Sequence, residues 1–168
     1  MKRVLTLLAV LIALGFAAAL IASFAGVNAT VLVVRGNADK LPLPIELGRV
    51  QDAQCGMIID TLDYAAQSVA PDGRTWFFHD LGGMPLFLAD KPFKNETVLW
   101  VHARDSQRWV NAREAFYSRT EETPMFYGFG AYEHPFSGRV DYATMEAMML
   151  RGENLTNPAV KRKLMGAE

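Results

Sequence analysis

The sequence predicts an α+β protein, with one N-terminal transmembrane helix followed by a small domain in which strand, strand and helix occur twice. Three observations predict it. Residues 4–26 are apolar or small apart from Thr6 and Ser23. Short β-rich runs bounded by glycine and proline fill the middle of the chain, and residues 81–89 and 141–151 carry helix start or stop signals. A chain of 168 residues, less such a leader, has room for one core.

The apolar segment is long enough to cross a hydrocarbon layer of about 30 Å. Lys2 and Arg3 precede it and the next basic residue is Arg35. The positive-inside rule therefore keeps the N-terminus cytoplasmic and sends the rest outward, a single pass through the cytoplasmic membrane with the C-terminal domain in the periplasm or outside. A cleaved signal peptide is the alternative. Its apolar region is usually about 7–15 residues, and the longer stretch here favours an uncleaved anchor over residues 1–26. With no cysteine near the end of the segment, a lipid-modified N-terminus is not expected. The folded part then meets an oxidising compartment where cysteines are normally paired, yet Cys55 is the single cysteine.

Residues 27–41 read as a tether that becomes an edge strand: residues 31–35 are β-branched and apolar, but Gly36, Asn37, Asp39, Pro42 and Pro44 interrupt any regular element. The domain is expected over residues 42–152. Residues 64–69 and 74–79 flank Pro71-Asp72-Gly73 and form a hairpin. Asp80 sits at the capping position of a short helix over residues 81–89, irregular at Gly82, Gly83 and Pro85. Residues 97–103 are a strand, residues 109–117 its partner, and residues 127–132 a third strand with glycines at 128 and 130. Asp141 starts a helix that Gly152 stops. Residues 153–168 form a basic tail with one short helix.

Basic and acidic side chains number 17 and 18, with no long run of either sign. Nucleic-acid binding requires a clustered basic face, so nucleic acid is not an expected partner. The sequence has no nucleophile motif, phosphate-binding glycine loop or acid–base pair, which points to a protein that is not an enzyme.

The candidate chemistry lies in Cys55-Gly56-Met57. Copper(I) is a soft ion that prefers thiolate and thioether sulfur and accepts imidazole. Cys55 and Met57 share one face of an extended strand, and Gly56 lets the backbone bend so that both sulfurs converge. Taken alone, a cysteine is most often a small buried apolar residue and methionine a gap filler. Met125 follows Pro124, which holds its predecessor extended, and a loop methionine fixed in this way suits a ligand better than a helical one. Met84 lies in an apolar helix and reads first as core; Met145, Met148 and Met149 follow helical spacing and read as core. His79 and His102, on strands, read first as structural histidines, and His134, in Glu133-His134-Pro135, as a loop donor.

At these residues the chain resembles the NosL family of copper chaperones that serve nitrous oxide reductase. The resemblance rests on Cys55-Gly56-Met57, on the hairpin from Tyr64-Ala65-Ala66-Gln67 through Asp72-Gly73-Arg74-Thr75-Trp76-Phe77-Phe78, on Asp80-Leu81-Gly82-Gly83-Met84, and on residues 123–132, Thr123-Pro124-Met125 through Ala131-Tyr132. It implies a pair of ββαβ-like units and copper(I) held by Cys55, Met57 and Met125; by donor type alone, His134, His102, His79 and Met84 are auxiliary candidates. The implied partner is a recipient copper enzyme or its assembly factors, nitrous oxide reductase or a related oxidase. Two departures stand out. Family members are commonly lipoproteins, and many carry a second cysteine three positions before the motif, where this chain has Asp52. The rival functions are a thiol redox protein using Cys55 and a metal-free assembly subunit of a membrane complex. A redox thiol would be indifferent to loss of Met57 and Met125; an assembly subunit would retain no copper(I).

Overall fold

The computed structural model describes residues 2–27 and 30–166. They form two compact units, one ending at Thr30 and one spanning Val31–Glu168. The first contains a single helix, α1 (Lys2–Val27), of 26 residues. By length and composition α1 can cross a membrane, a property that signal sequences share. Its described side chains from Thr6 to Ser23 are exposed.

The second unit contains β1 (Val33–Val34), β2 (Ala66–Val69), β3 (Thr75–Phe78), α2 (Gly83–Leu88), β4 (Val98–His102), β5 (Trp109–Asn111), β6 (Phe116–Tyr117), β7 (Ala131–Tyr132), α3 (Tyr142–Leu150) and α4 (Pro158–Met165), with one 3-10 turn at Lys94–Glu96. Five strands make an antiparallel sheet in the order β1-β3-β2-β4-β5, and β6 pairs with β7 in a separate ribbon. Helices and sheets thus coexist in an α+β fold. The order β2-β3-α2-β4 runs within the main sheet. In the second half β5 joins that sheet, while β6, β7 and α3 follow apart from it.

The β2–β3 hairpin is the one the sequence indicates. Ala70 O accepts the Gly73 N–H at 2.9 Å, placing Pro71 where its fixed φ suits the turn, and Gly73 follows at φ +78°. A Cβ on Gly73 would lie 3.0 Å from the backbone of Asn37, so both conformation and space require glycine there.

Successive β3 residues face opposite sides of the sheet. Phe78 joins Leu81, Met84, Leu88, Leu99, Val101, Tyr117, Phe129, Met145 and Met149 in the main core beneath α2 and α3. Phe77 faces a second cluster with Val50 and Ile59, covered by Val31, Val34, Leu43 and Ile45. The proline-broken segment around Leu43 has no ladder partners; instead the buried Gln67 side chain accepts the Leu43 N–H at 2.9 Å and donates to its carbonyl at 2.7 Å. Asn37 likewise donates to Thr75 Oγ1 and to the Leu41 carbonyl. Residues 31–45 are therefore part of the fold, with β1 as the expected edge strand.

Differences from the sequence reading concentrate in the second half. Residues 109–117 are two strands, because the Asn111 side chain accepts the Arg113 N–H and its carbonyl the Glu114 N–H, turning the chain. Of residues 127–132 only β7 is strand. Gly128 and Gly130 instead press their backbones against Leu155 and against Glu121, Arg104 and Ser118, where an added Cβ would come within 2.6–3.1 Å. Asp141 caps α3 as expected, its carboxylate accepting the Thr144 N–H at 2.8 Å. The tail helix is α4, capped by Asn157 and ended by Gly166 at φ +62°.

Candidate metal centre

Cys55 lies in a tight hairpin closed by Asp52 N–H donating to the Met57 carbonyl at 2.8 Å. Gly56, at φ +76°, makes the reversal possible, and the Gln51 side-chain amide donates to its carbonyl at 2.6 Å. Gln54, Gly56 and Met57 are exposed and Cys55 half-buried, so the thiol sits near the surface. The hairpin is fixed to the sheet where Ala53 N–H donates to the Phe77 carbonyl.

Asp52 organises this loop. It is 1% exposed. One carboxylate oxygen accepts the Gln54 and Cys55 amides at 2.6 and 3.0 Å, and the other accepts the His79 amide at 2.7 Å and lies 3.5 Å from His79 Nδ1. Burial pushes this carboxyl up, but the hydrogen bonds from His79, Cys55 and Gln54 outweigh it and hold the group below its ordinary value. Asp52 is therefore a carboxylate, bound to the end of β3 and to the cysteine loop together.

His79 follows β3 and is buried. Its Nδ1 lies 3.8 Å from Cys55 Sγ. Asp52, Cys55 and His79 thus present an oxygen, a sulfur and a nitrogen within 4.8 Å of one another. Burial pushes the Cys55 thiol above its ordinary value, the Met57 amide pulls it back, and the Asp52 charge raises it further. A metal-free Cys55 is consequently a protonated thiol at neutral pH, and a metal ion would have to displace that proton.

The donor spacing suits one ion. Metal–thiolate and metal–imidazole distances of about 2.3 and 2.0 Å fit a pair of atoms 3.8 Å apart at an angle of about 120°.

The second segment of interest docks beside this cluster. Asp80, fully buried next to His79, accepts the Gly82 amide at 3.1 Å and the Met125 amide at 3.0 Å. Burial holds its carboxyl above the ordinary value against the Thr123 hydroxyl and those two amides. Tyr127 packs on Gly82 so closely that a Cβ there would meet its ring at 2.8 Å. Burial raises the Tyr127 hydroxyl, and the charges of Asp80, Cys55 and Asp52 add to that. Residues 123–127 are therefore fastened to the chain immediately following His79.

The other sequence candidates separate clearly. Met57, 49% exposed, lies on the cysteine hairpin itself, and Met125 is half-buried on the docked loop. Met84 is 0% exposed within the main core, in keeping with its first reading as a core residue. His102 is buried edge-on against Trp109, with burial lowering its pKa, and lies outside the cluster. His134 is exposed and faces Asp105 Oδ2 at 3.0 Å, also outside it. Asp52 is the member that sequence reasoning missed. Its signal was present as an aspartate three residues before the cysteine, the spacing at which a short carboxylate caps following amides.

No family model, curated protein or solved structure matches this chain.

Proposed function

We propose that the chain is a membrane-tethered copper(I) chaperone of the NosL type, holding the ion at Cys55 and His79 with thioether donation from Met57 and Met125. The observation that carries the reading is the 3.8 Å approach of Cys55 Sγ to His79 Nδ1 in a loop whose tip is open to solvent. Thiolate, imidazole and thioether are the donors a soft monovalent ion selects, and partial exposure permits release by ligand exchange. The protein would not be an enzyme. In this reading α1 anchors the domain in the cytoplasmic membrane with residues 31–168 outside, and the recipient is a respiratory copper enzyme or its assembly factors. The paired ββαβ-like units belong to the same proposal, with β2-β3-α2-β4 as the first and β6-β7-α3, lacking a closing strand, as the second.

A redox role for Cys55 is less well supported. Reactive thiols sit in electropositive surroundings that lower their pKa, whereas burial and the adjacent Asp52 carboxylate raise this one. A second reading, zinc(II) retention, draws on Asp52, since zinc accepts sulfur, nitrogen and carboxylate oxygen together. Both Asp52 oxygens are already committed to backbone amides, which favours copper(I).

Copper(I) titration of the full chain against a chromophoric chelator, with X-ray absorption at the copper edge, tests the proposal. Stoichiometric retention with sulfur and nitrogen scattering, abolished in Cys55→Ala, is expected. Failure of the wild type to compete for copper(I) would sink it.

A further inference from the structure

The chain after β6 runs between two neighbours. Tyr117 pairs with Ala131 of β7 and bridges Val140 in antiparallel, exchanging amide-to-carbonyl hydrogen bonds with it at 2.8 and 2.9 Å. Continuing that register sets Arg119 opposite the turn Phe136-Ser137-Gly138-Arg139. The Phe136 carbonyl accepts the Arg139 amide at 3.2 Å, and Gly138 supplies the φ of +83° that the third position of such a turn needs. The turn leaves the Arg139 guanidinium over the Tyr132 ring at 3.3 Å and 5.0 Å from the centre of the Phe136 ring. These elements and Leu164 of α4 enclose an open cavity of about 410 Å³, within the range of about 300–1,000 Å³ usual for ligand pockets.

What distinguishes this cavity is positive charge that nothing in the chain answers. Arg119 Nε is buried and has no hydrogen-bond acceptor. Neither Arg119 nor Arg139 forms an ion pair among the described residues; Arg139 donates one N–H to the His134 carbonyl at 2.8 Å. The acids at hand are already taken. Glu121, the one carboxylate lining the cavity, accepts the Tyr132 hydroxyl at 2.5 Å and the Tyr64 hydroxyl at 3.4 Å and faces Arg104 at 3.8 Å. On the other side of Arg119, Glu153 lines the adjoining cavity and is held through both oxygens by Arg151. A buried donor without an acceptor is costly, and a ligand oxygen is one way to satisfy it. Guanidinium forks match the paired oxygens of carboxylate and phosphate, while Phe136, 69% exposed, and Leu164 offer apolar surface beside them. We propose that this cavity binds a small organic oxyanion, a carboxylate or phosphomonoester carried on an apolar body, with Arg119 and Arg139 meeting its charge and Phe136 its body. None of Cys55, Met57, His79 and Met125 lines the cavity, and the proposal is independent of the copper(I) reading.

Nitrogen NMR of the arginine-labelled full chain reads the guanidinium Nε–H signals directly. The metal-free chain, in lipid-free maltoside detergent at constant ionic strength, is titrated separately with phenyl phosphate, benzoate and inorganic phosphate. Phenyl phosphate, benzoate or both are expected to shift the Arg119 and Arg139 signals saturably, at concentrations about tenfold or more below those inorganic phosphate requires, and the tighter of the two identifies the head group. Arg119→Gln and Arg139→Gln should each weaken binding about tenfold or more. Phe136→Ser, at an exposed position, should narrow the gap between the organic probes and inorganic phosphate. Lys161→Gln removes an α4 charge that does not line the cavity and should leave all three titrations unchanged. Shifts that stay linear with every probe, or binding that weakens as much in Lys161→Gln as in Arg119→Gln, would overturn the site.

Discussion

Asp52 and Asp105 each gather the backbone amides of a loop and each faces the Nδ1 of a histidine, His79 at 3.5 Å and His134 at 3.0 Å. Asp52 accepts from Gln54, Cys55 and His79; Asp105 accepts from Ser106, Glu133 and His134. In both, these hydrogen bonds hold the carboxyl below its ordinary value against the burial that raises it. What differs is the setting. The His79 and Asp52 side chains are 3% and 2% exposed, against 73% and 25% for His134 and Asp105, and only the first pair has a thiol beside it. An aspartate–histidine pair is thus a common way to fasten a loop, and the sulfur with its desolvated surroundings is what turns one of the two into a candidate metal centre.

Removing the sulfur should break the comparison most severely. Cys55→Ala is expected to lower copper(I) affinity by several orders of magnitude in a chelator competition, whereas His134→Ala leaves it unchanged; equal losses would mean that the buried pair has no special role. Next come the thioethers. Met57→Ser and Met125→Ser should each weaken copper(I) binding about tenfold or more, the equivalent of about 1.4 kcal/mol, and leave zinc(II) affinity unaltered. Zinc retention that ignores both methionines, with weak copper(I) binding, would move the assignment to the divalent ion.

The raised Cys55 thiol supplies a third test. Below its pKa each unit of acidity makes the proton about ten times harder to displace, so apparent copper(I) affinity should rise about tenfold per pH unit between about pH 6 and 8. A flat profile would exclude the thiolate as ligand. Smaller still is the effect of the clamp itself. Asp52→Asn turns a donor toward amides that need an acceptor and should cost about 1–3 kcal/mol in urea unfolding, more than Asp105→Asn at its exposed site. Because the folded pKa of Asp52 is depressed, its contribution is complete above the unfolded value of about 3.9 and is lost as pH falls through the folded one. The wild-type advantage over Asp52→Asn should therefore shrink on acidification below about pH 4.

The parts of this molecule written locally could be read in the sequence. The apolar run of α1, the Pro71-Asp72-Gly73 turn and the Asp141 cap each depend on residues within a few positions of one another, and each appears in the structure. The second half was less legible because its glycines answer to distant neighbours: Gly128 to Leu155, and Gly130 to Arg104 and Glu121. The site divides the same way. Cys55 and Met57 were visible as a motif, while the pairing of Asp52 with His79 spans 27 positions and depends on where β3 ends. Met84, read first as core from its place in an apolar helix, lies in the main core.

The hydrogen bond from the Met125 amide to Asp80 joins residues 45 positions apart. A chain made from its N-terminus completes residues 52–79 well before it reaches residue 125. Asp52, Cys55 and His79 can then meet while the loop that brings Met125 is still unsynthesised. Long-range closures of this kind form late because the intervening chain must first be ordered. In the proposed ligand set, the Cys55–His79 pair is therefore synthesised before the Met125 thioether. On that proposal a metal captured by the unfinished chain would be held by fewer donors than in the complete one, and the spacing of the two segments would set the timing of metal supply relative to chain completion.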